Sequence, residues 1–133
     1  MYRNLKSLTS GILLIVVILF SGCGEDNVSL SNIEKVKNSV MNFDKSITIG
    51  QAFDNWNSCK NKKWNEFTTN NQKQIVEFTC KVNTLDCTIQ WTINLDDTTK
   101  IIYTKLISKQ ENGKVLEKKI TTNQLLKIIY ANK

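Results

Sequence analysis

"CTIQWTINL", residues 87–95, decides the fold. Ile89, Trp91, Ile93 and Leu95 fall on one side, and Thr88, Gln90, Thr92 and Asn94 on the other. Period-two alternation of an apolar and a polar set marks a strand that buries one face and wets the other. Such a strand belongs to an antiparallel sheet covered on a single side. Its neighbours read the same way. Upstream, "KKWNEFTT" and "QIVEFTCKV" flank the turn "NNQK", and "NTLD" leads into the quoted strand. Downstream, "DDTT" leads into "KIIYTKLIS", and "ENGK" into "KVLEKKI". Asn112-Gly113 is a strong hairpin signal, because type I′ turns need positive φ at both central residues. The pattern predicts an antiparallel meander of four to five strands from residue 63 onward.

Helices are expected at both ends of this meander. Ser31 with Glu34, Thr48 with Gln51, and Thr121 with Gln124 all have the spacing of a capping box. In that motif two side chains satisfy the free amides at a helix start. Ile33, Val36, Val40 and Met41 then share a face, which predicts a helix over 31–42. Ala52, Phe53 and Trp56 predict a short helix over 48–57. Leu125, Ile128 and Ile129 form the buried stripe of a C-terminal helix. The order α-α-β-β-β-β-β-α indicates an α+β domain, with helices packed on one face of the sheet.

The start of the chain carries an address. "GILLIVVILF", residues 11–20, follows Arg3 and Lys6. The run suits a signal-peptide core and is too short for a spanning helix, which needs about 20 residues. Ser21 and Gly22 precede Cys23, and the stretch resembles the lipobox of bacterial lipoproteins. Phe20 stands where that pattern prefers leucine. The resemblance implies cleavage before Cys23, acylation of its thiol and a membrane anchor. Gly24 in place of aspartate implies, by resemblance to enterobacterial lipoproteins, an outer-membrane location facing the periplasm. Residues 1–22 then read as a signal peptide, 23–30 as the lipidated cysteine with a short tether, and 31–133 as one domain. "SITIGQAFDNW", "KKWNEF" and "QIVEFTC" together resemble small bacterial cell-envelope proteins. The helix-pair-then-meander order is also similar to small outer-membrane assembly lipoproteins and to cystatin-like folds.

An envelope address would place Cys59, Cys80 and Cys87 in oxidising surroundings. Three cysteines leave one thiol over. A Cys59–Cys80 bridge, tying the helical segment to the sheet, is the favoured pairing. Cys80–Cys87, flanking "NTLD", is the alternative. A four-residue turn there sets the two diagonally, about 7 Å apart, which is long for a disulfide without a bulge.

Several function classes lack their residues. The chain has no histidine, and so lacks the usual general base and the commonest metal ligand. Its five glycines are scattered and form no phosphate loop. No Cys-x-x-Cys occurs, and three dispersed cysteines make a poor zinc site. Glu66 and Glu77 lie on neighbouring strands, but a glycosidase needs its carboxylates paired in a cleft. No enzyme, cofactor, metal or nucleic-acid partner is therefore expected, although the net charge is +6. Trp56, Trp64 and Trp91, with Lys60, Lys62 and Lys63 beside them, could form an aromatic groove with a basic rim. The ordinary outcome for aromatics in such positions is core. The sequence points to a non-enzymatic, lipid-anchored accessory or assembly module. It would bind a protein partner at the membrane through an exposed sheet face or edge strand. The alternative is an inhibitor, or an amphiphile- or glycan-binding domain using the groove.

Overall fold

The computed structural model describes residues 29–109 and 112–131. The signal peptide, Cys23 and most of the tether expected from the sequence lie outside the described residues. Among the described residues, three helices and two sheets make an α+β fold. In chain order they are α1 (Asn32–Asn38), β1 (Val40–Met41), β2 (Asp44–Thr48), α2 (Ile49–Asp54), β3 (Cys59–Thr68), β4 (Gln74–Val82), β5 (Leu85–Ile93), β6 (Thr99–Lys109), β7 (Val115–Lys118) and α3 (Thr122–Tyr130). Strands β3 to β7 form one antiparallel sheet in sequential order, the five-stranded meander that the period-two segments predict.

Local chemistry sets the helix starts. The Ser31, Thr48 and Thr121 side chains each accept the backbone N–H three residues on. Glu34, Gln51 and Gln124 reach back to the cap N–H, completing three capping boxes. The first helix is shorter than the periodicity over 31–42 suggests. Ser39 turns extended, its hydroxyl donating to the Lys35 carbonyl. Val40 and Met41 then pair with Asp44–Thr48 in a small ribbon that the sequence reading lacks. The second helix stops at Asp54, where the Trp56 N–H donates to the Phe53 carbonyl. Helices α1 and α2 approach closely at Gly50, where an added Cβ would lie 3.0 Å from the Lys37 carbonyl oxygen.

Two details of the sheet correct the sequence reading. Strand β3 begins at Cys59, not at residue 63. The β4–β5 turn contains two residues, Asn83 and Thr84, so Val82 pairs with Leu85 and Cys80 lies directly opposite Cys87. Asn83 takes φ 55°, a left-handed conformation that asparagine tolerates better than most residues. The tight loop lets Leu85 enter the ladder and pack against the core.

All three helices contribute to one core against one sheet face. Val76, Phe78 and Cys80 of β4 and Cys87, Ile89 and Trp91 of β5 point inward, meeting Val36, Ile49, Phe53, Leu125 and Ile129. Phe53 is the hub. Its ring centroid lies 4.8 Å from Phe78, 5.4 Å from Trp91, 5.7 Å from Trp64 and 6.5 Å from Trp56. Three of these pairs are edge-on and the Trp64 pair is tilted; aromatic pairs add about 0.5–1.5 kcal/mol each beyond the area they bury. Phe53→Ala is expected to lower the unfolding free energy by about 3–5 kcal/mol. Urea denaturation followed by tryptophan fluorescence measures the loss. Phe53→Leu should cost markedly less.

Candidate functional site

The three tryptophans converge, but inside the molecule. Trp56 and Trp91 are each 1% exposed, and both belong to the core cluster. Trp64 of β3 is half-buried and stacks on Trp91, with centroids 5.5 Å apart and an interplanar angle of 29°. The Lys37 ammonium lies 5.7 Å from the Trp64 ring centroid and covers its outer side. An aromatic groove is therefore not what these residues build. The larger depressions lie elsewhere. One, of about 540 Å³, sits between the start of α1 and the β3–β4 and β5–β6 turns, lined by Asn32, Lys35, Lys73 and Leu95. Another, of about 670 Å³, runs between the β1–β2 ribbon and α3, lined by Val40, Phe43, Asn123 and Leu126.

The carboxylates are engaged in structure. A Glu66 oxygen accepts the Ile33 N–H at 3.0 Å, satisfying a first-turn amide of α1. Glu77 accepts from the Gln90 side-chain amide on the opposite sheet face. Asn65 is the residue opposite Glu77, and Val76 the one opposite Glu66, so successive positions turn the two acids to different faces. They cannot work as a pair. Hydrogen bonds from the Thr98 hydroxyl and backbone hold the Asp96 carboxyl below its usual range in a turn. Among the described residues no group of three histidine, cysteine or acidic side chains could hold a metal ion. No described helix is long and apolar enough to cross a membrane.

What the fold leaves open is an edge. Strand β3, ten residues long, borders the sheet, with β4 as its single strand neighbour among the described residues. The Thr69 N–H donates to the Lys73 carbonyl across the turn. Antiparallel ladders alternate, so Phe67, Asn65 and Lys63 bond inward to β4. Trp64, Glu66 and Thr68 then turn their backbone N–H and C=O outward. The edge has two unlike halves. At Lys60–Lys63 the register shifts and Asn61 takes φ 54°, a bulge that bends the strand. Lys60 and Lys63 are exposed there, and Lys62 donates to the Asp54 carbonyl at 2.6 Å. From Lys63 to Thr68 the register is unbroken, and Phe67 remains 38% exposed.

The same bulge settles the disulfide. It brings Cys59, diagonal to Cys80, to a Cα separation of 5.7 Å, and the two are bonded. Cys87 stays a buried free thiol, and burial pushes it from 9.0 up to about 12. Burial, then the Asp44 charge, raises the Tyr130 hydroxyl from 10.0 to about 12.

No family model, curated protein or solved structure matches this chain.

The buried thiol makes stability fall in alkali. Between pH 9.0 and about 12 the folded chain holds a proton on Cys87 that the unfolded chain has lost. The stability this confers is complete below pH 9 and drains as pH rises toward 12, by at most about 1.4 kcal/mol per pH unit. Urea midpoints between pH 7 and 11 should fall less steeply above pH 9 in Cys87→Ala than in the parent chain.

Proposed function

We propose that this protein is a lipid-anchored, non-enzymatic module of the cell envelope that binds a protein partner by strand addition at the β3 edge. The observation that carries the binding reading is the regular, unpaired stretch from Lys63 to Thr68. Its outward amides and carbonyls await a further strand, and the exposed Phe67 ring lies beside it. Strand addition to an open edge supplies main-chain hydrogen bonds for affinity and side-chain contacts for selectivity. The basic, bulged half does complementary work. Lysines and bulges on edge strands discourage pairing between like copies, while Lys60 and Lys63 attract an acidic segment. The one-sided sheet adds a second exposed surface around Tyr103, which is 40% exposed.

The anchor reading rests on residues 11–23. A ten-residue apolar run after two basic residues, then Ser21, Gly22 and Cys23, supports lipidation at Cys23. The seven residues 24–30 would span at most about 24 Å, so the domain would sit close against its bilayer. An outer-membrane location facing the periplasm follows by resemblance alone.

Two measurements test this. The intact mass of the detergent-extracted protein is expected to match residues 23–133 plus acyl chains, and Cys23→Ser should release the protein from membranes. A full-length or cleaved but unlipidated mass would overturn the anchor. A photo-crosslinking residue placed at Asn65 is expected to yield a discrete adduct in intact cells. The same label at Lys114, away from this edge, should yield none. Adducts that form equally at both positions would refute the edge as the binding site.

A further inference from the structure

Three cysteines meet at one end of the sheet, and their order across it is informative. Cys80 sits on β4, between Cys59 on β3 and Cys87 on β5, and all three face the core. Cys59 is bonded to Cys80. Cys87 stands directly opposite Cys80 in the ladder. Counting from the two-residue turn, where Val82 and Leu85 close the hairpin, Cys80 and Cys87 are a hydrogen-bonded pair. Such pairs have Cα atoms about 5.5 Å apart, at the centre of the disulfide range. Cys80 thus has two partners at bonding reach, one on each side, and can hold only one of them.

Thiol–disulfide exchange needs a thiolate that approaches one sulfur of the bridge while the other departs; burial holds the Cys87 thiol protonated at pH 8, so the exchange is slow and is read over a day. The sheet places Cys87 on the β5 side of Cys80 and Cys59 on its β3 side. We propose that the chain carries two mutually exclusive disulfides, Cys59–Cys80 and Cys80–Cys87, interconverted by Cys87 acting as an internal nucleophile on Cys80. The step balances without an external oxidant. The Cys87 thiol loses its proton, and its sulfur bonds the Cys80 sulfur. The Cys59–Cys80 bond breaks, and the Cys59 sulfur leaves with the electron pair and takes up a proton. One bridge and one thiol exist before and after.

The two forms differ in what they fasten. The Cys59 link staples the first residue of β3, just after α2, to the sheet. The Cys87 link fastens only β4 to β5, which the two-residue turn already joins. Exchange therefore releases the bulged, lysine-bearing half of the β3 edge while the meander stays intact. That this loosens a binding edge rests on the strand-addition reading. The exchange itself belongs to the chain alone and is read without a partner.

The test is a peptide map of the full chain. Trypsin separates the three cysteines into Ser46–Lys60, Gln74–Lys81 and Val82–Lys100. The folded protein is held for a day in a glutathione redox buffer at pH 8, quenched in acid, alkylated and digested. Near-UV circular dichroism confirms that packing persists. The expected result is a Gln74–Lys81 peptide linked partly to Val82–Lys100. Alkylation lost at Cys87 should match, one for one, alkylation gained at Cys59. Cys59→Ser should form the Cys80–Cys87 bridge outright, and Cys87→Ser should show the Cys59–Cys80 bridge alone. A parent chain that keeps only the Cys59–Cys80 link overturns the proposal, whatever the variants do. A Cys59–Cys87 link also overturns it, because that product requires scrambling through unfolded chains.

Discussion

Four aromatic rings meet around Phe53, and the layout of the molecule follows from where these five rings come from. Phe53 arrives on α2, Trp56 just beyond its end, Trp64 on β3, Phe78 on β4 and Trp91 on β5. Burying them together brings the short second helix onto the inner face of the meander and draws α1 in behind it. A six-residue helix has almost no stability of its own. Its persistence depends on this packing and on the Thr48–Gln51 box that closes its first turn. The arrangement has a cost, since the indole N–H groups of Trp56 and Trp91 are buried without a hydrogen-bond partner among the described residues. Each such orphan is worth about 1–3 kcal/mol. The apolar gain from these large rings evidently exceeds it.

With every helix committed to one face, the sheet is left with a wet back and two edges. The edges are treated differently. Strand β7 has four residues, and all are exposed; so short a ribbon offers little to pair with. Strand β3 is long, and its defences cover only its first half. Ion pairs across the polar face, such as Asp86 with Lys81 and Lys109, orient side chains more than they stabilise, because exposed pairs contribute about 0–1 kcal/mol. The surface chemistry therefore concerns selection of contacts more than the standing of the fold.

What could be read from the residue order was local. The alternation at 87–93 fixes the inner and outer faces of β5, although Leu95 of the same pattern lies past the strand end and is exposed; Thr121 with Gln124 fixes the start of α3, because each signal lies within a few residues. What escaped was decided at a distance. Val40 and Met41 fit a helical stripe as well as a strand, and only their pairing partners at 44–48 settle the matter. "NTLD" allowed a two- or a four-residue turn, and the difference shifts every partner across β4 and β5. Trp56, Trp64 and Trp91 were legible as a cluster. Whether the cluster opens to solvent depended on the helices packed over it and, at Trp64, on the distant Lys37. An exposed edge strand was expected, but which strand it is could not be read, since a strand's place in the order of a sheet is a property of the whole meander.

The position of the Cys59–Cys80 bridge has one more consequence. The bond spans 21 residues and encloses the β3–β4 hairpin, whose turn at Asn70–Lys73 is exposed. Closing a loop of that length stabilises the fold by about 3 kcal/mol through the unfolded chain. It also makes the turn expendable. A protease that severs the backbone after Lys73 would leave two polypeptides still joined covalently, with the ladder between them in register. The bridge thus separates chain continuity from structural integrity, and it does so at the loop next to the open half of β3.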